Sequence, residues 1–398
     1  MNDKIRVLYD QEGLEAPYSG VACYFLEIMR NFDPEIEVVY GQVETINPEL
    51  AKPPYSIPLS AHTINQFLPA IDFKGKRKLY NLLSRRLKVI PYCFEINDRF
   101  FRESVENSEF DLLHLTGAHI YGHAWKQAVG HKPIIITMHD LIPEIVNRDR
   151  QQEIARRRML DCVDHVLCVS DSTRRDLCAY YQFPKEKTTV IYHGAIEKTG
   201  QRECLLVQDK KYILYVGRRN AYKHFNWFVK ALSPYLKTHP DLRLVCTGPD
   251  FSSDEIETQK ALGIHSQVIH YFAPAEEMSS LYAHAEVFVY PSVYEGFGIP
   301  ILDAFSAGCP VLLSNKSCFP EVAGDAAHYF DPEVEEDFVD KLSQILENRT
   351  LRSSLVTRGY ERVRRFSWKK AADETASVYR QVVAEWKFKS GRGGVICG

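Results

Sequence analysis

The chain has 398 residues, of which 45% are hydrophobic and 25% charged, and its formal net charge at pH 7 is −3. That length exceeds one typical core and favours two domains of roughly 200 residues each, with the composition of an ordinary globular enzyme. The charge balance argues against a general nucleic-acid binder, which is normally markedly basic.

Hydropathy and cysteine usage indicate the compartment in which the protein works. No apolar stretch reaches the roughly 20 residues that span a bilayer, and no signal-peptide core precedes the first predicted strand. The 10 cysteines are scattered without a Cys-x-x-Cys pair, which predicts reduced thiols and neither a zinc site nor a disulfide framework. We therefore expect a cytoplasmic protein.

Strand-like apolar runs alternate with segments of helical periodicity, a pattern typical of parallel βαβ units. In the first half we predict strands at Ile5–Asp10, Glu37–Tyr40, Leu112–Leu115, Pro133–His139, His165–Ser170 and Thr189–Tyr192. In the second half we predict strands at Tyr212–Gly217, Arg243–Gly248, Val268–Phe272, Val287–Tyr290, Val311–Ser314 and Ala327–Phe330. The fold class is therefore α/β with two doubly wound parallel sheets, and the polar segment near residues 195–211 separates predicted domains at 1–196 and 205–365.

The first domain carries candidate ligand contacts near its predicted strand ends. Gly20 follows Ser19 and opens a helix, although a glycine before a helix is usually only a turn. His139 lies at the carboxyl end of a buried strand, which is the ligand-binding position of this architecture. A lone histidine is more often a satisfied structural residue, and His114 and His193 are weaker candidates of the same kind.

A stretch between residues 73 and 102 combines many cations with aromatic side chains, and a second basic cluster follows at Arg156–Arg158. Such a surface could rest on an anionic leaflet or hold a polyprenyl-diphosphate acceptor. A solvated helix face interrupted by Pro91 explains the first stretch equally well. Membrane contact therefore stays one of two alternatives at this point.

The strand predicted at Tyr212–Gly217 leads into a cationic junction with the following helix. Arg218, Arg219 and Lys223 stand at this junction, where cations can neutralise a departing diphosphate in place of a metal ion. For an isolated pair of arginines, a solvated basic loop would be the simpler interpretation. This segment becomes a stronger candidate for a diphosphate site only when the next segment is considered with it.

The segment after the strand predicted at Val287–Tyr290 is the most informative part of the chain. Glu295 follows the carboxyl end of this strand, Pro300 suits the first turn of a helix, and Gly308 suits the end of that helix. The helix is therefore predicted to start near Gly298. Its free N–H groups and positive end favour an anion such as a pyrophosphate.

Glycines and an isolated acid add to this prediction. Gly296 and Gly298 lack a β-carbon, so that a ligand can approach the main chain closely. Asp303 is the only charged residue between Glu295 and Lys316, and an acid among apolar neighbours needs a specific partner. Taken singly, the glycine-rich turn is a common connector and both acids suit an ordinary helix N-terminus.

Residues 287–332 resemble the signature region of the retaining glycosyltransferase family 4, which has the GT-B fold, and the resemblance extends over nearly the whole chain. It implies two Rossmann-like domains that face a central cleft, with the donor bound by the second. It also implies that a final helix, at about residues 368–388, crosses back to complete the first domain. Periodicity alone fits a helix that caps the second domain as well.

The resemblance also implies roles in the second domain. Glu295 matches the first Glu of the family's Glu-x7-Glu pair, which lies beside the donor sugar and the anomeric centre. Asp303 stands where the second Glu would bind the ribose, and because it is shorter by one methylene that contact is left open. Arg219 and Lys223 match the motif that contacts the diphosphate, whereas Arg218 matches another family form in which arginine directly follows glycine.

Three further contacts are implied in the same way. The helix start at Phe297, Gly298 and Ile299 would hold the diphosphate together with the preceding Gly296. Gly20 matches a Gly-Gly-x-x-x-Tyr loop that approaches the donor phosphates, although Ser19 replaces its first glycine. His139 matches a Thr-x-His-Asp-Leu pattern and would bond a hydroxyl of the donor sugar.

The resemblance thus implies a retaining hexosyltransferase that uses a GDP- or UDP-sugar and a saccharide or lipid-linked saccharide acceptor in surface-glycan synthesis. No Asp-x-Asp pair follows a predicted strand, so we expect no catalytic metal, and we expect no cofactor. Contact with the inner face of the membrane is compatible with that role. Two other classes share the fold: a sugar-nucleotide epimerase or phosphorylase, and a scaffold that binds the nucleotide without turnover. The base, sugar, linkage and acceptor stay open.

Overall fold

A computed structural model describes residues 4–15, 19–59, 91–107, 110–117, 132–195, 202, 204, 210–219 and 221–392. Residues 73–90 of the basic stretch between 73 and 102, and most of the predicted linker, lie outside these residues. A bilayer-spanning helix is not found among them, because none of their helices combines sufficient length with sufficient apolar content.

The first lobe is built on a six-stranded parallel sheet in the order β2-β1-β3-β4-β5-β6. Its strands are β1 Ile5–Tyr9, β2 Ile36–Tyr40, β3 Leu112–Leu115, β4 Ile134–Met138, β5 His165–Cys168 and β6 Thr188–Val190. Its helices are α1 Gly20–Arg30, α2 Pro91–Glu106, α3 Arg150–Leu160 and α4 Asp171–Tyr181, with a π-helical turn at Ile142–Val146 and a 3-10 turn at Lys185–Lys187. All five residues of β4 are buried, as expected for an inner strand that is covered on both faces.

The second lobe repeats this architecture with a six-stranded parallel sheet in the order β12-β11-β10-β7-β8-β9. Its strands are β7 Lys211–Tyr215, β8 Leu242–Cys246, β9 Val268–His270, β10 Val287–Tyr290, β11 Val311–Ser314 and β12 His328–Phe330. Its helices are α5 Phe225–Thr238, α6 Ser253–Ala261, α7 Ala275–Ala283, α8 Ile299–Ala307, α9 Phe319–Ala323, α10 Glu335–Glu347 and α11 Arg349–Val363. Short 3-10 turns occupy Ala221–Lys223, His265–Gln267 and Gly324–Ala326.

The predicted α/β class with two doubly wound parallel sheets is confirmed. Every predicted strand occurs, with ends that differ by two residues or fewer. Most differences lie at the carboxyl ends, because residues there already begin the loops. Gly217 and Gly248, for example, have φ of +118° and +108°, a backbone conformation that ends β7 and β8 and that other residues rarely adopt.

The last helix, α12 at Trp368–Arg392, packs against the first lobe. Its buried face shares a hydrophobic core with β1 and α1. The Tyr379 hydroxyl lies 2.5 Å from the Tyr9 hydroxyl and 2.5 Å from Nδ1 of His114, both of which are buried in the first sheet. The chain thus returns to the first lobe, whereas the boundaries of the two domains stay a prediction.

Candidate functional site

The Glu295 carboxylate and the Lys223 ammonium form the centre of the candidate site. Glu295 follows β10 and is 8% exposed, and its Oε1 accepts a hydrogen bond from Lys223 Nζ at 2.5 Å. Lys223 also donates to the Tyr290 hydroxyl at 2.9 Å. Because β7 and β10 are neighbours in the sheet, the loops that follow them bring these two charges together.

The loop between Glu295 and helix α8 is held in one shape by Ser317. The Glu295 N–H donates to Ser317 Oγ at 3.2 Å, and the Ser317 hydroxyl donates to the Glu295 carbonyl at 2.6 Å. The loop then turns through Gly298, whose φ of +93° suits glycine, and α8 begins at Ile299 as the sequence predicted. Within the described residues, the N–H groups of Gly298 and Ile299 are not used in hydrogen bonds, so they remain available to an anion.

Phe297 turns its side chain away from this helix start. The ring is 3% exposed and stacks on His193 of the first lobe, with centroids 4.5 Å apart. Its edge also meets Phe366, next to the start of α12. The side chain therefore serves packing between the lobes, and only the main chain of Phe297 can face a ligand.

Asp303 lies one turn further along α8, with its carboxyl near the first lobe. Burial raises its pKa to about 7, and no hydrogen-bond partner is recorded for it in the part of the chain that the structure describes. The pKa of the Cys23 thiol on α1 is raised mainly by burial and in small part by Asp303. The Asp303 carboxyl and the Cys23 thiol of the first lobe therefore lie near each other.

The two adjacent arginines have different environments. Arg219 has a side chain that is only 4% exposed, and its Nε donates to Glu255 at 2.7 Å. Its Nη2 donates to the carbonyls of Pro249 and Asp250, and the guanidinium lies 4.7 Å from the Phe251 ring centroid. The Arg219 guanidinium is thus used to hold the loop after β8, which the sequence did not indicate.

Arg218, by contrast, is exposed at the end of β7. Its carbonyl accepts a hydrogen bond from the Tyr215 hydroxyl at 2.9 Å, which fixes the main chain there. Its guanidinium has no recorded partner among the described residues. Of the two arginines, Arg218 is therefore the one that is free to bind an incoming anion.

His139 faces the site from the end of β4 in the first lobe. Burial, with a smaller effect from Arg156, lowers its pKa to about 3, so that the imidazole is neutral at ordinary pH. Its Nε2 is shielded from solvent and lacks a hydrogen-bond partner within the described ranges. The next residue, Asp140, accepts from the Ile142 N–H at 2.9 Å and stabilises the turn after the strand.

The helix α1 begins beside this strand end. Ser19 caps it by accepting a hydrogen bond from the Ala22 N–H at 3.0 Å. A β-carbon built on Gly20 would meet no atom within 4 Å, so packing does not require glycine at this position. The open space in front of Gly20 leaves the helix start accessible to a ligand.

Contacts between the lobes join the two halves of the site, and the sequence did not predict them. A β-carbon on Gly296 would overlap the carbonyl oxygen of His139, so the two main chains touch. Elsewhere in the cleft, the Glu321 carboxylate accepts from the N–H groups of Asp171 at 2.5 Å and Ser172 at 3.0 Å. A carboxylate of the second lobe thus caps helix α4 of the first.

The two weaker candidates differ: His114 has hydrogen-bond partners, whereas both ring nitrogens of His193 are buried without one among the described residues. His114 is fully buried with its pKa lowered to about 3 by burial, and its Nε2 lies 2.9 Å from Thr137 Oγ1. His193 lies between the rings of Phe297 and Trp368 at the junction of the two lobes. Neither presents its ring at the strand end in the way that His139 does.

A cavity of about 400 Å³ opens beside His139 in the first lobe. Its lining includes Glu12, Thr116, Asp140, Gln152 and Arg156. Arg156 is 11% exposed and pairs with the buried Glu144 at 3.0 Å, so the cluster Arg156–Arg158 is not one continuous exposed surface.

Comparisons with known proteins agree with this geometry. The family model for glycosyl transferases group 1 matches residues 197–362, and the model for Glycosyltransferase Family 4 matches residues 58–196. The O-antigen chain mannosyltransferase B of Escherichia coli is 31% identical over 399 residues, which covers 94% of this chain and 100% of that protein. The O-antigen chain mannosyltransferase RfbU of Salmonella typhimurium is 27% identical and covers 53% of this chain and 60% of its own.

Solved structures show the same fold at low sequence identity. HepE from Anabaena in complex with UDP and glucose superposes with a TM-score of 0.69 at 15% identity, covering 95% of this chain and 100% of that one. A sucrose-phosphate synthase from Thermosynechococcus elongatus gives a TM-score of 0.67 at 18% identity, covering 96% and 100%.

Proposed function

The chain belongs to glycosyltransferase family 4, and we propose that it transfers a hexosyl unit from a nucleoside-diphosphate sugar to a saccharide acceptor with retention of anomeric configuration. The observation that carries this proposal is the pair of Glu295 and Lys223 at the carboxyl edge of the second sheet, opposite His139 of the first lobe.

The donor diphosphate binds between Lys223, Arg218 and the start of helix α8. Cleavage of the glycosidic bond builds negative charge on the leaving diphosphate, and cations and N–H groups fixed in advance stabilise that charge. The two cations and the amides of Gly298 and Ile299 supply such stabilisation. We therefore expect the reaction to proceed without a divalent metal.

Glu295 positions the donor sugar and supports the positive charge that develops at the anomeric carbon. Its partner Lys223 can turn from the carboxylate to the diphosphate, since both anions lie at the same strand ends. The carboxylate oxygen released in this exchange can accept a hydrogen bond from a sugar hydroxyl. Binding of the donor therefore releases Glu295 from its ion pair with Lys223.

His139 and Asp303 complete the contacts to the donor. The neutral imidazole of His139 can donate to or accept from a sugar hydroxyl at neutral pH once donor binding uncovers its Nε2, which is shielded from solvent in this structure. Asp303 has no recorded partner in the described chain and lies near Cys23 of the first lobe, so a ribose held between the lobes could donate its hydroxyls to this carboxyl. Closure of the lobes at Gly296 and His139 excludes water, which would otherwise compete with the acceptor.

We infer the class of acceptor from the relatives, and the location at the membrane from the surface of the first lobe. Two relatives are O-antigen chain mannosyltransferases, which favours a GDP- or UDP-hexose donor and a saccharide or lipid-linked acceptor in surface-polysaccharide synthesis. Exposed Ile145 and Ile154 lie in a segment with exposed Arg150 and Arg158, a combination that suits an anionic leaflet. We place the protein in the cytoplasm, at the inner face of the membrane.

The decisive experiment is a panel of UDP-, GDP- and ADP-sugars, scored by thermal stabilisation and by slow donor hydrolysis, with EDTA in a parallel series. NMR of the transferred product then reports its anomeric configuration. Release of free epimerised sugar, or dependence on inorganic phosphate, would instead identify an epimerase or a phosphorylase. Nucleotide binding without turnover would identify a scaffold, and flotation with anionic vesicles tests the membrane contact.

A further inference from the structure

Phe272 is an exposed aromatic residue at the ligand-binding edge of the second lobe. It is 78% exposed, more than any other large hydrophobic side chain recorded for the described residues. It lies two residues beyond the end of β9, whose last residue is His270. Leaving an aromatic ring in water is unfavourable, and a flat ligand that covers it would recover that free energy.

The strand order places Phe272 in line with the diphosphate site. The sheet runs β10-β7-β8-β9, so the loops that carry Glu295, Arg218 and Phe272 leave the same edge in that order. Strands are spaced by about 4.8 Å, which puts β9 about 10 Å from β7. A nucleoside that extends from a diphosphate at Arg218 along this edge arrives at Phe272.

A fixed loop fills the space between these two residues. A β-carbon on Gly248 would stand 2.5 Å from the Gly217 carbonyl oxygen, so the main chains after β7 and β8 are in contact. Arg219 binds the carbonyl of Asp250 at 2.8 Å, and His270 Nε2 lies 2.9 Å from the Gly248 carbonyl. The buried Arg219 therefore fixes the main-chain segment that lies between Arg218 and the aromatic ring.

We propose that Phe272 is the platform on which the nucleobase of the donor stacks. This inference rests on the proposed function, because it takes the diphosphate to lie at Arg218 and Lys223. Stacking uses the π-face that every base has, so Phe272 sets the affinity for the nucleoside and not the choice of base. The hydrogen bond from Arg219 to the Asp250 carbonyl fixes the main chain between the phosphate site and this ring.

The test compares a nucleoside diphosphate with its phosphate part alone. Binding of UDP, GDP and inorganic pyrophosphate to the full chain is measured by calorimetry for the wild type, Phe272→Ala and Phe272→Trp. The alanine variant is expected to bind the preferred nucleoside diphosphate about 5- to 100-fold more weakly, with pyrophosphate binding unchanged. The tryptophan variant is expected to retain affinity, and Val334→Ala, another exposed apolar residue of the same lobe, serves as control.

Equal affinity of Phe272→Ala and wild type for the nucleoside diphosphate would overturn the inference while leaving the proposed function intact. An equal loss for pyrophosphate would also overturn it, because the residue would then act on the phosphate site or on folding. A wild-type protein that binds none of the three ligands would refute the proposed function itself, and the inference with it.

Discussion

Gly296 of the second lobe lies directly against the main-chain carbonyl of His139 in the first, so that a β-carbon at position 296 would overlap the carbonyl oxygen. The Thr173 hydroxyl of the first lobe donates to the carbonyl of the same glycine at 3.3 Å. The loop that carries Glu295 reaches the strand end that carries His139 because residue 296 has no side chain. The proposed catalytic groups of the two lobes therefore depend on this contact for their alignment.

Gly296→Ala should hold the lobes apart and lower kcat/KM by about 100-fold, since a misplacement of about 1 Å can cost that much. The affinity for the nucleoside diphosphate should change little, because its proposed contacts lie in the second lobe. Steady-state kinetics and calorimetry measure the two effects separately. Ser354→Ala, at an exposed position of helix α11 outside the site, controls for the effect of an alanine substitution on folding. Wild-type turnover by Gly296→Ala would show that the contact is not needed.

Lys223→Met and Glu295→Gln should each lower the rate of transfer by about 100-fold or more while the protein folds normally. The estimate follows from the loss of one fixed group that stabilises charge in the transition state. Because the two side chains are paired at 2.5 Å, the double variant should lose less than the product of the single effects. Lys230→Met, on the exposed face of α5, is the matched control. Near-normal rates for either single variant would reject its role.

Arg218→Ala should affect ligand binding, whereas Arg219→Ala should affect the stability of the fold. Arg218→Ala should weaken binding of pyrophosphate and leave the free energy of unfolding unchanged, because its guanidinium is exposed. Arg219→Ala should destabilise the fold by about 3–5 kcal/mol, because it removes the ion-pair partner of the largely buried Glu255. Urea unfolding and calorimetry separate the two outcomes, and the reverse pattern would contradict the assignment.

Asp303→Asn should change how stability depends on pH. The wild-type carboxyl has a pKa of about 7 when folded and 3.8 as its ordinary value, so the folded state binds the extra proton between these values. Its contribution to stability is therefore present below pH 4 and is lost as the pH rises to about 7. As the pH rises across this window, the free energy of unfolding of the variant should increase relative to that of the wild type, by at most about 1.4 kcal/mol per pH unit. Asp325→Asn, at an exposed acid, is the control. A difference in stability between Asp303→Asn and the wild type that does not change with pH would contradict the raised pKa of Asp303.

The strands could be predicted from sequence because parallel strands covered on both faces consist of uninterrupted apolar runs. The runs at 134–138 and 287–290 are buried at every position, and both were found with little error. The start of α8 was also predictable, because Pro300 and the flanking glycines act through local geometry. The conformation of the loop between Glu295 and α8 could therefore be predicted from its own residues.

Features that depend on distant partners were not predictable. Nothing near Arg219 in sequence distinguishes it from Arg218, because its partner Glu255 lies on a helix 36 residues away. The cap that Glu321 provides to α4 joins residues about 150 positions apart and requires the two lobes to be assembled. Such contacts depend on tertiary structure, which periodicity and spacing do not contain.

The most direct test of the account is a crystal structure with the nucleoside diphosphate that stabilises the protein most. We predict its diphosphate within hydrogen-bonding distance of Lys223 Nζ, the Arg218 guanidinium and the Gly298 and Ile299 amides, with the Glu295 carboxylate released from Lys223. A nucleotide bound away from the cleft, or a Lys223–Glu295 pair that persists beside a diphosphate held by other residues, would contradict it.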